Sequence, residues 1–128
     1  MHSFNDDLWP ICLLTLSGSP TEKEFAQYLD ELLTHYNKPG KRAYVVDLRK
    51  LDGASPNIRK AQSHFFEKNE ALVREKNVGM ALVVANGLQR GILTALYWLK
   101  PFPCPHKIVT DIDEAENYCR GQLVSADA

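Results

Sequence analysis

Ala43-Tyr44-Val45-Val46-Asp47-Leu48 is a short apolar run, β-branched and aromatic and bounded by turn residues, which is the pattern of a strand with an acid at its carboxyl end. Downstream, a loop over residues 49–54 leads to Ser55-Pro56, a helix N-cap followed by proline at the first helical position, where the missing N–H costs nothing. The helix that follows carries Ile58, Ala61, Phe65, Leu72 and Val73 inward. Its other side, with Arg59, Lys60, Glu67, Lys68, Glu70 and Arg74, reads as a solvated face and not as a docking patch. Upstream, Thr21 and Glu24 form a capping box, the hydroxyl accepting from the third helical amide while the carboxylate reaches back to the Thr21 amide. Phe25, Leu29, Leu32, Leu33 and Tyr36 then make one apolar stripe, ended by Asn37-Lys38-Pro39-Gly40.

The pattern extends to both ends. Residues 9–16, with Ile11, Leu13, Leu14 and Leu16, suit a largely buried strand, and Gly18-Ser19-Pro20 turns the chain into the first helix. Residues 78–85 are apolar throughout, as a strand covered on both faces must be, and Asn86-Gly87 stops them. Residues 88–100 predict a helix apolar on most of its circumference, because Leu88, Ile92, Leu93, Leu96 and Leu99 are joined by Ala95, Tyr97 and Trp98. Such a helix is either deeply buried or shared with a partner. The prolines at 101, 103 and 105 bridge to a last strand at residues 106–110, and Asp111 and Asp113 open a final helix over 114–123 with Ala115, Tyr118 and Cys119 inward. The order is β-α repeated four times, which implies a single α/β domain with a mostly parallel sheet and right-handed crossovers.

Charge narrows the partners. With 15 basic against 16 acidic residues and no run of like charge, the chain lacks the footprint of a nucleic-acid or anionic-membrane binder, so neither is expected. No apolar stretch approaches the ~18 residues of a membrane span. The polar, acidic start has no basic region followed by an apolar one, so no secretory leader is expected. Cys12, Cys104 and Cys119 are odd in number and contain no C-x-x-C, which fits reduced thiols and a cytoplasmic residence.

In a parallel sheet, ligands and partners meet the loops at the carboxyl ends of the strands, here residues 17–21, 47–55, 86–90 and 110–113. The first loop is hydroxyl-rich, but Pro20 removes an amide a phosphate would use, and a turn plus capping box employs every residue. In the second, Asp47 and Arg49 are the sharpest polar pair. A phosphoryl-accepting aspartate would need acids after the first strand to hold magnesium, where Ser17 and Gly18 stand, so a turn cap or a pair with arginine is the expectation. In the third, Asn86, Gln89 and Arg90 open a helix and make a candidate anion site together with Asp47 and Arg49. The competing expectation is that Asn86 is an N-cap and Arg90 pairs with Asp47 or Asp111. His2, His35, His64 and His106 fall on a tail, two helices and a strand start, at no metal-ligand spacing. Cys104 is the one loop cysteine, with nothing near it in sequence to lower its pKa. No catalytic residue, cofactor or metal is therefore expected.

Tyr44-Val45-Val46-Asp47-Leu48, a loop, and Ser55 opening a helix resemble the SpoIIAA-like fold of anti-sigma-factor antagonists and STAS domains. Over residues 9–119 the chain is similar to small bacterial SpoIIAA-like proteins of unknown function. The stretch Arg90-Gly91-Ile92-Leu93-Thr94-Ala95-Leu96-Tyr97-Trp98-Leu99, with Pro101, Pro103 and the Val109-Thr110-Asp111 strand end, carries that similarity. The resemblance implies an open (βα)4 superhelix with helices packed on a mostly parallel sheet, and a domain whose relatives often act through protein–protein contact. The antagonists' switch is a serine phosphorylated within a D-S-[ST]-G stretch. Gly53-Ala54-Ser55-Pro56-Asn57 stands here, so Ser55 is a candidate modification site only by position, and the phosphoswitch does not carry over.

Two functions follow as expectations. The first is a noncatalytic regulatory or protein-interaction module, with Tyr97, Trp98 and Phe102 as candidate interface toward a protein partner or a second copy of the chain. The alternative is a binder of a small anionic or lipid-like ligand between the third helix and the strand ends. Lipid-transfer domains of related fold make that conceivable by analogy.

Overall fold

Side chains alternate between two faces along every central strand of a single five-stranded sheet. The computed structural model describes residues 2–87, 89 and 102–127. In β3 (Arg42–Leu51), Tyr44, Val46 and Leu48 enter one core while Ala43 and Val45 enter another. β2 (Ile11–Gly18) divides in the same way, Cys12, Leu14 and Leu16 against Ile11 and Leu13. So does β4 (Asn77–Val83), Met80 and Leu82 against Ala81 and Val83. β5 (His106–Val109) completes the parallel set, and the strand order follows the chain.

The larger core lies under α1 (Glu22–Tyr36), α2 (Pro56–Lys68) and α3 (Glu70–Lys76), which contribute Phe25, Tyr28, Leu32, Tyr36, Ile58, Phe65 and Val73. The smaller one lies under α4 (Ile112–Asp127), where Ala115 and Cys119 meet Ala43 and Ala81. Small side chains there let the helix approach closely. The N-caps read from the sequence for α1 and α2 are made. Thr21 Oγ1 accepts from the Glu24 amide at 3.1 Å while Glu24 Oε1 accepts from the Thr21 amide at 3.1 Å, and Ser55 Oγ accepts from the Ile58 amide at 3.3 Å.

Three departures have physical causes. The acidic amino-terminal residues, expected as a tail, form β1 (His2–Leu8), an antiparallel edge strand on β2. Its alternation is carried by His2, Phe4 and Asp6, too polar a set to register as an apolar period, and a Trp9-Pro10 turn moves the start of β2 to Ile11. The helix expected through Arg74 breaks at Asn69, whose side-chain and backbone amides both donate to the Phe65 carbonyl, at 2.9 and 3.0 Å. An asparagine that competes for a helix carbonyl in this way closes one helix and lets another begin. β3 also outruns the expected loop, because β2 continues past a register shift between Thr15 and Ser17 and pairs Gly18 with Leu51. Of the helix expected over 88–100 only Gln89 is among the described residues; the rest, with Arg90, Tyr97 and Trp98, lies outside them. Among the described residues no helix is long and apolar enough to cross a membrane.

Candidate functional site

The carboxyl edge of the parallel strands gathers most of the residues singled out by sequence. Asp47 lies within β3, which runs on to Leu51 beyond the strand end read at Leu48. Its Oδ1 accepts from the Arg49 amide at 3.1 Å and from Arg49 Nε at 3.0 Å, and its Oδ2 from Arg49 Nη2 at 2.9 Å. That forked contact, set against the partial burial of the acid, holds the Asp47 carboxyl below its usual range. Asn86 Oδ1 accepts from the Gln89 amide at 3.0 Å, as an N-cap does. Gln89 then joins three stretches of backbone: Nε2 donates to the Leu48 carbonyl at 2.8 Å and the Leu51 carbonyl at 3.4 Å, while Oε1 accepts from the Ala85 amide at 2.6 Å. Phe102 is half-buried, its ring edge-on to Phe66 at 4.9 Å and to His106 at 5.7 Å.

A second polar cluster, invisible as a spacing motif, forms at the opposite end of the sheet. β1 places Asp6 beside Cys12 at the start of β2, and the last turn of α1 brings His35 onto both. A carboxylate oxygen, the sulfur and a ring nitrogen lie within 4.8 Å of one another. With Asp6 ionised, His35 Nε2–H donates to Oδ1 at 3.0 Å and Oδ2 at 3.1 Å, and in the neutral ring Nδ1 accepts from the Tyr44 hydroxyl at 2.6 Å. Lys38 Nζ donates to Asp6 at 3.2 Å from the solvent side. The acid alternates with His2 and Phe4 along β1, and with Phe4 the one apolar member the period-two pattern is too faint to mark the segment as a strand.

Arg42, fully buried, underlies this cluster. Its guanidinium donates to the His35 carbonyl at 2.6 Å, the Lys38 carbonyl at 2.5 Å and the Gly40 carbonyl at 2.8 Å, and it sits 4.9 Å from the Trp9 ring centre. The open carbonyls at the end of α1 are thus satisfied by a buried cation, which also meets the negative end of the helix dipole. Beside it Asn77 donates to the Tyr36 hydroxyl at 2.9 Å and accepts from the Gly79 amide at 3.0 Å.

The two reactive groups of the cluster are displaced in opposite directions. Partial burial would raise Asp6, but hydrogen bonds from Cys12, His35 and Lys38 outweigh it and bring the carboxyl down to about 2. Burial, then the hydrogen bond to Asp6 and its charge, push the Cys12 thiol well up. A protonated, enclosed thiol is a poor nucleophile. Cys104 and Cys119 are likewise pushed up to about 12 by burial. The chemistry open to Asp6, Cys12 and His35 is to share protons or to hold a cation, not to attack an electrophile.

An open sheet with sequential strand order, an antiparallel leading edge and helices on both faces defines the class of α/β domain to which the chain belongs. Its fold is SpoIIAA-like. The structure matches, with a TM-score of 0.71 over 93% of this chain and 92% of the other, an uncharacterized protein of the DUF3478 family with a SpoIIAA-like fold from Shewanella loihica PV-4. The two are 16% identical, so the likeness concerns the fold. No family model and no curated protein matches the sequence.

Proposed function

We propose that the chain is a noncatalytic regulatory or protein-interaction module of SpoIIAA-like type that docks a protein partner, or a second copy of itself, at the carboxyl edge of its parallel strands. The observation that carries this reading is Gln89, whose amide group ties residues 48, 51 and 85 together. Asp47, Ser55 and Asn86 brace the same edge by accepting from backbone amides. Side chains engaged in fixing loop shape give a preorganised surface, and preorganisation reduces the ordering cost of association. Turnover of a substrate asks for polar groups directed outward toward reacting atoms, a different use of the same positions.

Native mass spectrometry of the chain, purified gently from its own cell without added ligand, tests the reading. The expected result is a stoichiometric added mass equal to another protein chain or a second copy. A stoichiometric small anion or lipid in its place would transfer the proposal to ligand binding. A bare single chain, with no crosslinked partner recovered from the same cells, would remove it.

A further inference from the structure

We propose that Asp6, Cys12 and His35 form a binding site for one divalent transition-metal ion of the zinc class, with Cys12 Sγ, His35 Nε2 and an Asp6 carboxylate oxygen as its ligands. The donor set comes first in the argument. A thiolate, an imidazole and one carboxylate select a borderline-soft ion over magnesium or calcium, which take oxygen alone. The three donors come from β1, β2 and α1, so no short segment has to fold around the ion.

The geometry is close to what such an ion asks. Bond lengths of about 2.0–2.3 Å in a tetrahedral arrangement set ligand atoms roughly 3.3–3.8 Å apart. The three donor atoms already lie within 4.8 Å of one another, and the Asp6 and His35 pair, at 3.0–3.1 Å, has to spread by only a few tenths of an ångström. His35 is oriented for the task. Its Nδ1 is engaged by the Tyr44 hydroxyl at 2.6 Å, leaving Nε2 as the atom facing Asp6, and a ring held through its other nitrogen is the usual support of a metal-bound histidine.

The opposing charges are Lys38, paired with Asp6, and Arg42, whose Nη1 lies 3.4 Å from His35 Nδ1. Arg42 is engaged by the carbonyls of His35, Lys38 and Gly40 and sits over the Trp9 ring. Lys38 is half-exposed and can turn into water. On binding, the sulfur–hydrogen bond of Cys12 breaks, a sulfur–metal bond forms, and that proton leaves to solvent; the His35 ring changes tautomer, its proton passing from Nε2 to Nδ1, which then donates to the Tyr44 hydroxyl, and no oxidant or reductant takes part. The ion brings two positive charges and one proton departs, so the pocket gains a single charge. Displacing the Lys38 ammonium from Asp6 offsets that gain.

Cobalt(II) added to the reduced, metal-stripped full chain under anaerobic conditions is the test. The expected result is a sulfur-to-cobalt charge-transfer band that saturates at one equivalent and is displaced by zinc(II). Cys12→Ser should abolish the band, and Asp6→Asn should weaken cobalt binding by roughly tenfold or more. Lys38→Ala should tighten it, and Cys104→Ser should leave it unchanged. Far-ultraviolet circular dichroism checks that Cys12→Ser folds; should it not, Asp6→Asn and Lys38→Ala, altered at partly open positions, decide the matter by their opposite signs. No band at saturating cobalt, a band surviving in folded Cys12→Ser, or equal affinity in Asp6→Asn and the parent would overturn the site and leave the cluster a purely structural tie.

Discussion

Asp47 and Arg49 show how a pair conspicuous in a sequence can be turned inward to local structure. The Arg49 guanidinium grips the Asp47 carboxylate through two nitrogens and the Arg49 amide adds a third donor, so the folded-state pKa lies below the unfolded one. A depressed acid contributes stability that is fully present above its unfolded pKa and is lost as pH falls through its folded pKa. Arg49→Gln removes the side-chain part of that shift and keeps the backbone part. Parent and variant should differ in unfolding free energy near neutral pH and converge in acid, as measured by urea denaturation along a pH series. Arg49 is largely exposed, so the neutral-pH difference should be small, about 0.2–1 kcal/mol. A difference independent of pH would show that the pair does not carry the coupling.

At the scale of elements, β4 and α4 meet closely at a glycine. A Cβ built on Gly79 would stand 2.7 Å from Gln122 Cγ and 2.8 Å from its Cβ, and the second of these atoms is fixed to the helix backbone. Gly79→Ala should therefore push α4 off the sheet and stretch the bond from Gln122 Nε2 to the Val78 carbonyl, now 3.3 Å. Overpacking of this kind costs about 1–3 kcal/mol, read as a lower melting temperature with unchanged helix content; an unaltered melt would mean the seam yields freely. The sequence shows the run 78–85 as a buried strand, while the close approach at Gly79 depends on where α4 lies and is seen only in the structure. The capping box at Thr21, the Ser55 N-cap, the apolar stripes and the parallel strands were legible because each is written in a local period or a local hydrogen bond. β1 was not, since a polar edge strand has its partner and not its composition to declare it. The meeting of Asp6, Cys12 and His35 was not legible either, because it depends on hairpin register and on where α1 ends.

Across the whole molecule the two ends of the sheet carry different polar devices, and that separation makes their roles distinguishable. The amino end holds Asp6, Cys12 and His35 over the buried Arg42, while the carboxyl end holds the Gln89 brace. The sheet between them is closed by two apolar cores. Gln89→Ala removes the donor to the part-buried Leu48 and Leu51 carbonyls and the acceptor for the exposed Ala85 amide, at a cost to folding of about 1 kcal/mol. Its cost to docking should be larger, because the loops must then be ordered on association. The affinity for the partner, titrated by native mass spectrometry, should fall about tenfold, equivalent to about 1.4 kcal/mol, while the cobalt response at the far end stays as in the parent. Undiminished partner binding in a folded Gln89→Ala chain would move the docking surface away from this edge. A simultaneous loss of partner and cobalt would mean that the two ends are coupled through the strands and do not act independently.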